Sequence, residues 1–196
     1  MGHPVRPRQR RRRQPASSGI LRRMFAAPTI IGEAFVGEGA EAAHLNIVLG
    51  RRGGAVEAAW VGSLAAPRAG HVPFMTVLQP GLPVKPLTLF VNKAAIEGDR
   101  HGILTWGAAQ AGVAAGVAAA VVEGLIPAAD VDDLLCIAAV WVAPGAQDEE
   151  AVYANNQAAT LAAVRAAVNA DPRLEAVLAA ADAPANPFFR RASTGG

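Results

Sequence analysis

Residues 37–50 read GEGAEAAHLNIVLG, a glycine-rich turn that runs into a strand. From His44 onward polar and apolar residues alternate, so at the two-residue period of a strand His44 and Asn46 share one face while Leu45 and Ile47 share the other. Upstream, residues 30–36 form a second strand-like run, and the two together predict strands flanking the Gly37/Gly39 turn. One face is apolar. The other sets an imidazole and an amide side by side, and a titratable ring at the mouth of a strand needs a reason.

Beyond this pair the periodicity predicts a helix over 54–64, with Val56, Trp60, Ser63 and Leu64 on one face. Strands over 74–78 and 87–91 follow, separated by residues 79–86, whose three prolines are expected to exclude regular pairing. A long Ala/Gly helix, a strand around Cys136, a helix over about 149–168 opened by Asp148 as its N-cap and closed before Asp171-Pro172, and a short terminal helix complete the order. Strands first and helices later predict an α+β fold, a two-layer α/β sandwich. With 196 residues, 52% of them hydrophobic, the chain is long enough for one sizeable core. We assign that core to residues 29–182, with 1–28 a basic leader or a mis-assigned start and 183–196 a flexible tail.

Several function classes find little support. Residues 1–23 hold eight arginines and no acid, leaving ten basic and sixteen acidic residues for the rest, so the arm is basic and the body acidic. The arm offers a phosphate-binding charge but no interleaved aromatics, and Met24 provides an alternative start; nucleic acid is not the expected partner. Its composition also fits a mitochondrial transit peptide. The uncharged run over 102–122 has spanning length and a GxxxG spacing at Gly112 and Gly116, but Ala and Gly transfer weakly into lipid, and the run closes at an ordinary Gly and Pro stop. It reads as a buried helix, and no membrane is expected. The single Cys136 lies in an apolar strand, which suits a core thiol in a reducing, cytoplasmic setting. His3, His44, His71 and His101 are scattered, with His71 and His101 read as loop residues, so no metal site is expected. Asp130, Asp132 and Asp133 read as a solvated turn or helix start.

A set of motifs in register then carries a resemblance. IGEAFVGEG at 31–39, AHLN at 43–46, PGLPVKP at 80–86, VNK at 91–93, WGAAQ at 106–110 and EGLIPA at 123–128 together resemble the formaldehyde-activating enzyme family, over about residues 29–168. The resemblance implies a ribosomal-protein-S5-domain-2-like fold and a homopentamer with sites between subunits. It also implies condensation of formaldehyde with tetrahydromethanopterin, a co-substrate rather than a bound cofactor, to the methylene derivative and water, a hydro-lyase reaction of one-carbon metabolism and methylotrophy.

The same resemblance assigns His44 as proton donor, a task that suits an imidazole near neutrality. It places Lys93, Gln110 and Met75 at pterin-contacting positions, Met75 standing where the family has leucine. Two contact positions depart from the family: Asn46 replaces an aspartate and Ala95 a threonine. An amide beside His44 brings no charge, so His44 is expected to be a weaker acid reservoir than a carboxylate-paired ring. Two function classes follow. Retention of His44 and Lys93 favours an enzyme; Asn46 and Ala95 favour a non-catalytic paralogue that binds formaldehyde or a pterin as sensor, carrier or partner subunit.

Overall fold

A computed structural model describes residues 29–186 and 189–190. The basic leader over 1–28 and the end of the tail therefore lie outside the described residues. Strands β1 (Thr29–Val36) and β2 (Ala43–Arg51) form the expected hairpin, paired antiparallel from Thr29 opposite Gly50 to Val36 opposite Ala43. Its turn needs glycine: Gly37 and Gly39 have φ of 88° and 67°, a region closed to most side chains, and a short 3-10 turn over Gly39–Glu41 leads into β2.

Helix α1 (Ala55–Ala65) is followed by the short strands β3 (Phe74–Met75), β4 (Val77–Gln79) and β5 (Leu82–Pro83), then β6 (Leu87–Asn92). The run over 74–78 is not one strand. After Met75 the chain leaves β6 and pairs Val77–Gln79 with Leu82–Pro83 about a turn at Gly81, φ 79°, so the proline-rich segment does form a small hairpin, contrary to expectation. Two-residue pairing at a sheet margin tolerates Pro83, where a central strand would not. A continuous helical stretch comes next: α2 (Gly98–Ile103), a π-helical turn over Leu104–Ala109, and α3 (Gln110–Val122). Strand β7 (Leu134–Trp141), helices α4 (Glu149–Asn169) and α5 (Leu174–Ala180), and a final hairpin of β8 (Ala185–Asn186) with β9 (Phe189–Arg190) close the order. Asp148 caps α4 as expected, its Oδ1 accepting from Ala151 N at 3.0 Å, and the left-handed Ala170 ends it.

The main sheet has the order β1-β2-β7-β6-β3, antiparallel except for the parallel β7/β6 pair. This mixed sheet packed on helices is the expected α+β fold. Alternation sorts β2 as the sequence predicts: Ala43, Leu45, Ile47 and Leu49 are buried against α3 and α4 with Phe90, Cys136, Ala138 and Val140, while His44, Asn46 and Val48 turn to the opposite face. Full burial of a Leu or Ile is worth about 1.5–3 kcal/mol, so a one-residue slip of β2 would forfeit several such terms at once. Cys136 belongs to this core, its thiol pushed up to about 12 by burial.

Among the described residues, the opposite face is covered at one end only. Val56 and Trp60 of α1 pack on Leu89 and Leu135, with Val48, Met75, Leu87, Val91 and Ile137 around them. Leu64, predicted on the same helix face, is 41% exposed, because only the first turns of α1 rest on the sheet. His101 is also not in a loop. It is buried in α2, where Nδ1 accepts from Glu97 N and Nε2 meets the Val142 carbonyl at 3.0 Å, a satisfied structural ring in its Nε2–H form.

Helix α4 is seated backbone to backbone. A Cβ on Gly32 of β1 would lie 1.9 Å from the Ala163 carbonyl oxygen, one on Gly112 would lie 2.4 Å from the Tyr153 carbonyl oxygen, and one on Gly116 would lie 2.5 Å from Thr160 Cβ. The GxxxG spacing of α3 thus serves close packing against α4. The helical stretch Gly98–Val122 is long and apolar enough to cross a membrane, and half of its most apolar 18-residue segment is buried within the fold.

Gly32→Ala is expected to lower the melting midpoint by roughly 2–12 °C through overpacking of about 1–3 kcal/mol. Gly62→Ala, where an added Cβ meets nothing within 4 Å, should instead raise stability by about 0.5–1 kcal/mol. Thermal denaturation of the two variants beside wild type measures both.

Candidate active site

The uncovered end of the sheet face is built by register. His44 lies opposite Phe35 on β1 and Trp141 on β7; Asn46 lies opposite Glu33 and Ala139. On the far side of β7, Val91 pairs with Ala139, and Lys93 extends the ladder by donating its N–H to the Val140 carbonyl at 2.7 Å. By alternation Lys93 follows Val91 onto the same face, in one row with Trp141, His44 and Phe35. Met75, opposite Leu89, faces the same way nearer α1. Four of the predicted site residues, His44, Asn46, Met75 and Lys93, therefore share a face that starts at the rim of α1 and runs into the open.

His44 does not lack a carboxylate. Its Nε2 is 3.0 Å from Glu33 Oε1, a diagonal cross-strand contact, so a carboxylate stands beside the ring although Asn46 brings none. The side chains are 39% and 56% exposed, so the pair is worth about 0.2–1 kcal/mol rather than the full Coulomb energy. Its larger effect is orientation: a ring tied at Nε2 and set against Phe35, with centroids 6.0 Å apart, has few rotamers left. Asn46 sits directly opposite Glu33, and an amide there avoids placing two carboxylates across one strand pair.

Lys93 is the unusual group. Its residue is half-buried, and its Nζ is shielded from water with no hydrogen-bond partner. Desolvation pulls the ammonium below its ordinary 10.5, and the negative charge of Glu33 partly offsets this. The backbone around it is fixed, since Asn92 Nδ2 donates to the carbonyls of Gly70 and Ala94, each at 2.7 Å.

The other two predicted residues lie elsewhere in the chain. Ala95 is exposed in the loop after β6, its Cβ against Gly70. Gln110 is buried at the start of α3, where Oε1 accepts from Val77 N at 3.2 Å and Nε2 donates to Val77 O at 2.9 Å. Both ends of that amide are spent on holding β4, so within one chain Gln110 does not join His44. Sequence reasoning missed Glu33, although it stands inside the quoted IGEAFVGEG motif. Counting back through the hairpin from His44 would have put it on the His44 face.

The profile of the formaldehyde-activating enzyme family matches residues 31–189, from the third residue of the Glu33 strand to the final hairpin. The chain belongs to the formaldehyde-activating enzyme family. Among its relatives, a 5,6,7,8-tetrahydromethanopterin hydro-lyase of Methanosarcina barkeri is 42% identical over 160 residues, 82% of this chain and 90% of that protein. A bifunctional enzyme Fae/Hps of Methanosarcina mazei is 39% identical over 148 residues, 76% of this chain and 38% of the relative. That of Archaeoglobus fulgidus is 37% identical over 164 residues, 84% of this chain and 42% of the relative. This formaldehyde-activating enzyme family member thus spans about two fifths of the bifunctional relatives and nearly all of the hydro-lyase.

Two substitutions test the charge layout. Glu33→Gln should retain the fold and lower the rate by about two- to fivefold, the worth of an exposed pair. Asn46→Asp should set two acids opposite each other and lower the denaturation midpoint, an effect that vanishes in the double variant with Glu33→Gln. A pH titration tests Lys93. Between its depressed folded value and the ordinary 10.5 the unfolded chain binds more protons, so the stability of wild type relative to Lys93→Met should rise with pH across that window in chemical denaturation.

Proposed function

We propose that this chain condenses formaldehyde with tetrahydromethanopterin to 5,10-methylenetetrahydromethanopterin and water. The observation that carries this reading is His44 held by Glu33 on an uncovered sheet face, in a chain 42% identical to a hydro-lyase of nearly the same extent. A pterin nitrogen adds to the formaldehyde carbon, and the hydroxyl of the resulting carbinolamine must leave as water. His44 supplies that proton and afterwards recovers one from the second pterin nitrogen as the methylene bridge closes. Glu33 keeps the ring aimed while it does so. The remaining contribution is orientation of two reactants.

We further propose a homopentamer, with the site completed by a neighbouring copy. Three features support it: the uncovered end of the sheet face, the solvent-facing edge of β1, and a concavity of about 430 Å³ beside that edge, lined by Ile31, Gly32, Glu33, Ala166, Asp171 and Pro172. A cytoplasmic setting is proposed from the buried, unpaired Cys136. The departure at Asn46 does not carry the non-catalytic alternative, because Glu33 already sets a carboxylate beside His44.

The assay is methylene-tetrahydromethanopterin formation above the spontaneous reaction. Wild type should exceed background, and His44→Ala should lose about 10²- to 10⁴-fold of the enzymatic rate while keeping its melting midpoint. No rate above background in wild type would reject the enzyme. Light scattering that gives a stable monomer at micromolar concentration would reject the ring.

A further inference from the structure

The chain holds two lysines, and they differ in every physical respect. Lys85 is exposed and its Nζ lies 2.5 Å from Asp132 Oδ1. Lys93 has an Nζ hidden from water with no hydrogen-bond partner among the described residues, on the face that carries His44. A lysine built only to attract an anion would keep its ammonium hydrated or paired, since an unpaired buried cation is costly. An amine that spends more of its time neutral escapes most of that cost and gains a nucleophilic lone pair. Neutral amines and aldehydes react readily. His44 lies two strands away on the same face, about 10 Å along the sheet at roughly 4.8 Å per strand, and Glu33, which holds His44, acts electrostatically on Lys93.

We propose that Lys93 is a covalent carrier of the one-carbon unit, forming a methylene-iminium with formaldehyde and passing it to the pterin. The inference rests on the reaction proposed above and specifies how the aldehyde is activated. The free amine attacks the carbonyl carbon, a C–N bond forms, the π pair moves to oxygen, and the amine's own proton follows it there. His44 donates a proton to this hydroxyl. The C–O bond breaks, water leaves, and the nitrogen lone pair becomes the C=N bond of the iminium. A pterin nitrogen then attacks that carbon, and its proton moves to the Lys93 nitrogen. The bond from carbon to Lys93 breaks as the pterin nitrogen's lone pair forms a new C=N bond. The second pterin nitrogen closes the bridge, and its proton returns to His44. The sum is formaldehyde plus tetrahydromethanopterin giving the methylene pterin and water, with Lys93 and His44 restored. No redox partner is needed.

Lowering the amine's affinity for protons supports this reading, because each unit of depression raises the free-amine fraction about tenfold at neutral pH. The two-lysine composition makes the test clean. The full-length protein is treated with formaldehyde, sub-stoichiometric to lysine, and cyanoborohydride, which reduces an iminium to an N-methyl group; peptide mass mapping then reads Lys93 against Lys85. Lys93 is expected to be methylated faster than Lys85, and added tetrahydromethanopterin should suppress that label by removing the methylene group. Lys93→Arg, which keeps the cation but cannot form the iminium, should bind pterin and lose the enzymatic rate to background. Equal labelling of the two lysines, or a Lys93→Arg protein that retains the rate, overturns the carrier role while leaving the proposed reaction intact. Wild type with no rate above background would instead remove the proposed reaction, and the labelling ratio would still decide whether Lys93 captures formaldehyde. Because the labelling uses wild type, the test holds even where the arginine variant folds poorly.

Discussion

Everything on the open face depends on how α4 meets the sheet. At Gly32 the helix backbone lies so close to β1 that no side chain fits between them, and the neighbouring Glu33 is thereby turned to the other side. Gly112 and Gly116 bring α3 equally close to α4. The helix also reaches the β1/β2 turn, where Asn155 Nδ2 donates to the Glu41 carbonyl at 2.9 Å and a Cβ on Gly37 would strike the Asn155 amide. One helix therefore fixes the twist, the turn and the register of the hairpin. Glu33 meets His44 only in that register.

The division of labour across β2 follows. Leu45, Ile47 and Leu49 supply apolar burial, which is strong and without direction, while His44 and Asn46 occupy the positions that burial does not claim. Because alternation is rigid, the energy that anchors the strand also aims the imidazole. Lys93 is positioned differently, by one ladder hydrogen bond and by the two donations of Asn92 to its flanking loops.

Much of this was legible in the chain. The alternation from Ala43, the Gly37/Gly39 turn, Asp148 as a cap and the core character of Cys136 are local signals, and each element appears where the pattern sets it. What was not legible depends on pairing. Glu33 and His44 are eleven residues apart, and only the hairpin register makes them neighbours. Gln110 looks like a ligand contact by motif, yet the nearby β4 backbone at Val77 claims both ends of its side-chain amide. The break at Thr76 is likewise tertiary, since its N–H bonds to Thr88 on β6 while its carbonyl accepts from Val84, just beyond β5. His101 looked like a loop residue because a short helix opening on Gly98 carries little periodicity.

The exposed edge of β1 has one more consequence. Its outward N–H and C=O groups form a template for another strand, and Ile31 adds an apolar side chain 64% exposed on the open face. Glu33, two residues further along the same strand, interrupts that apolar stretch with a charge engaged by His44. Removing the imidazole would free this carboxylate, and removing the carboxylate would leave Ile31 and Phe35 flanking an uncharged edge. The residue that orients the ring thus also acts as a gatekeeper against indiscriminate strand addition, so solubility and chemistry are tied to the same side chain.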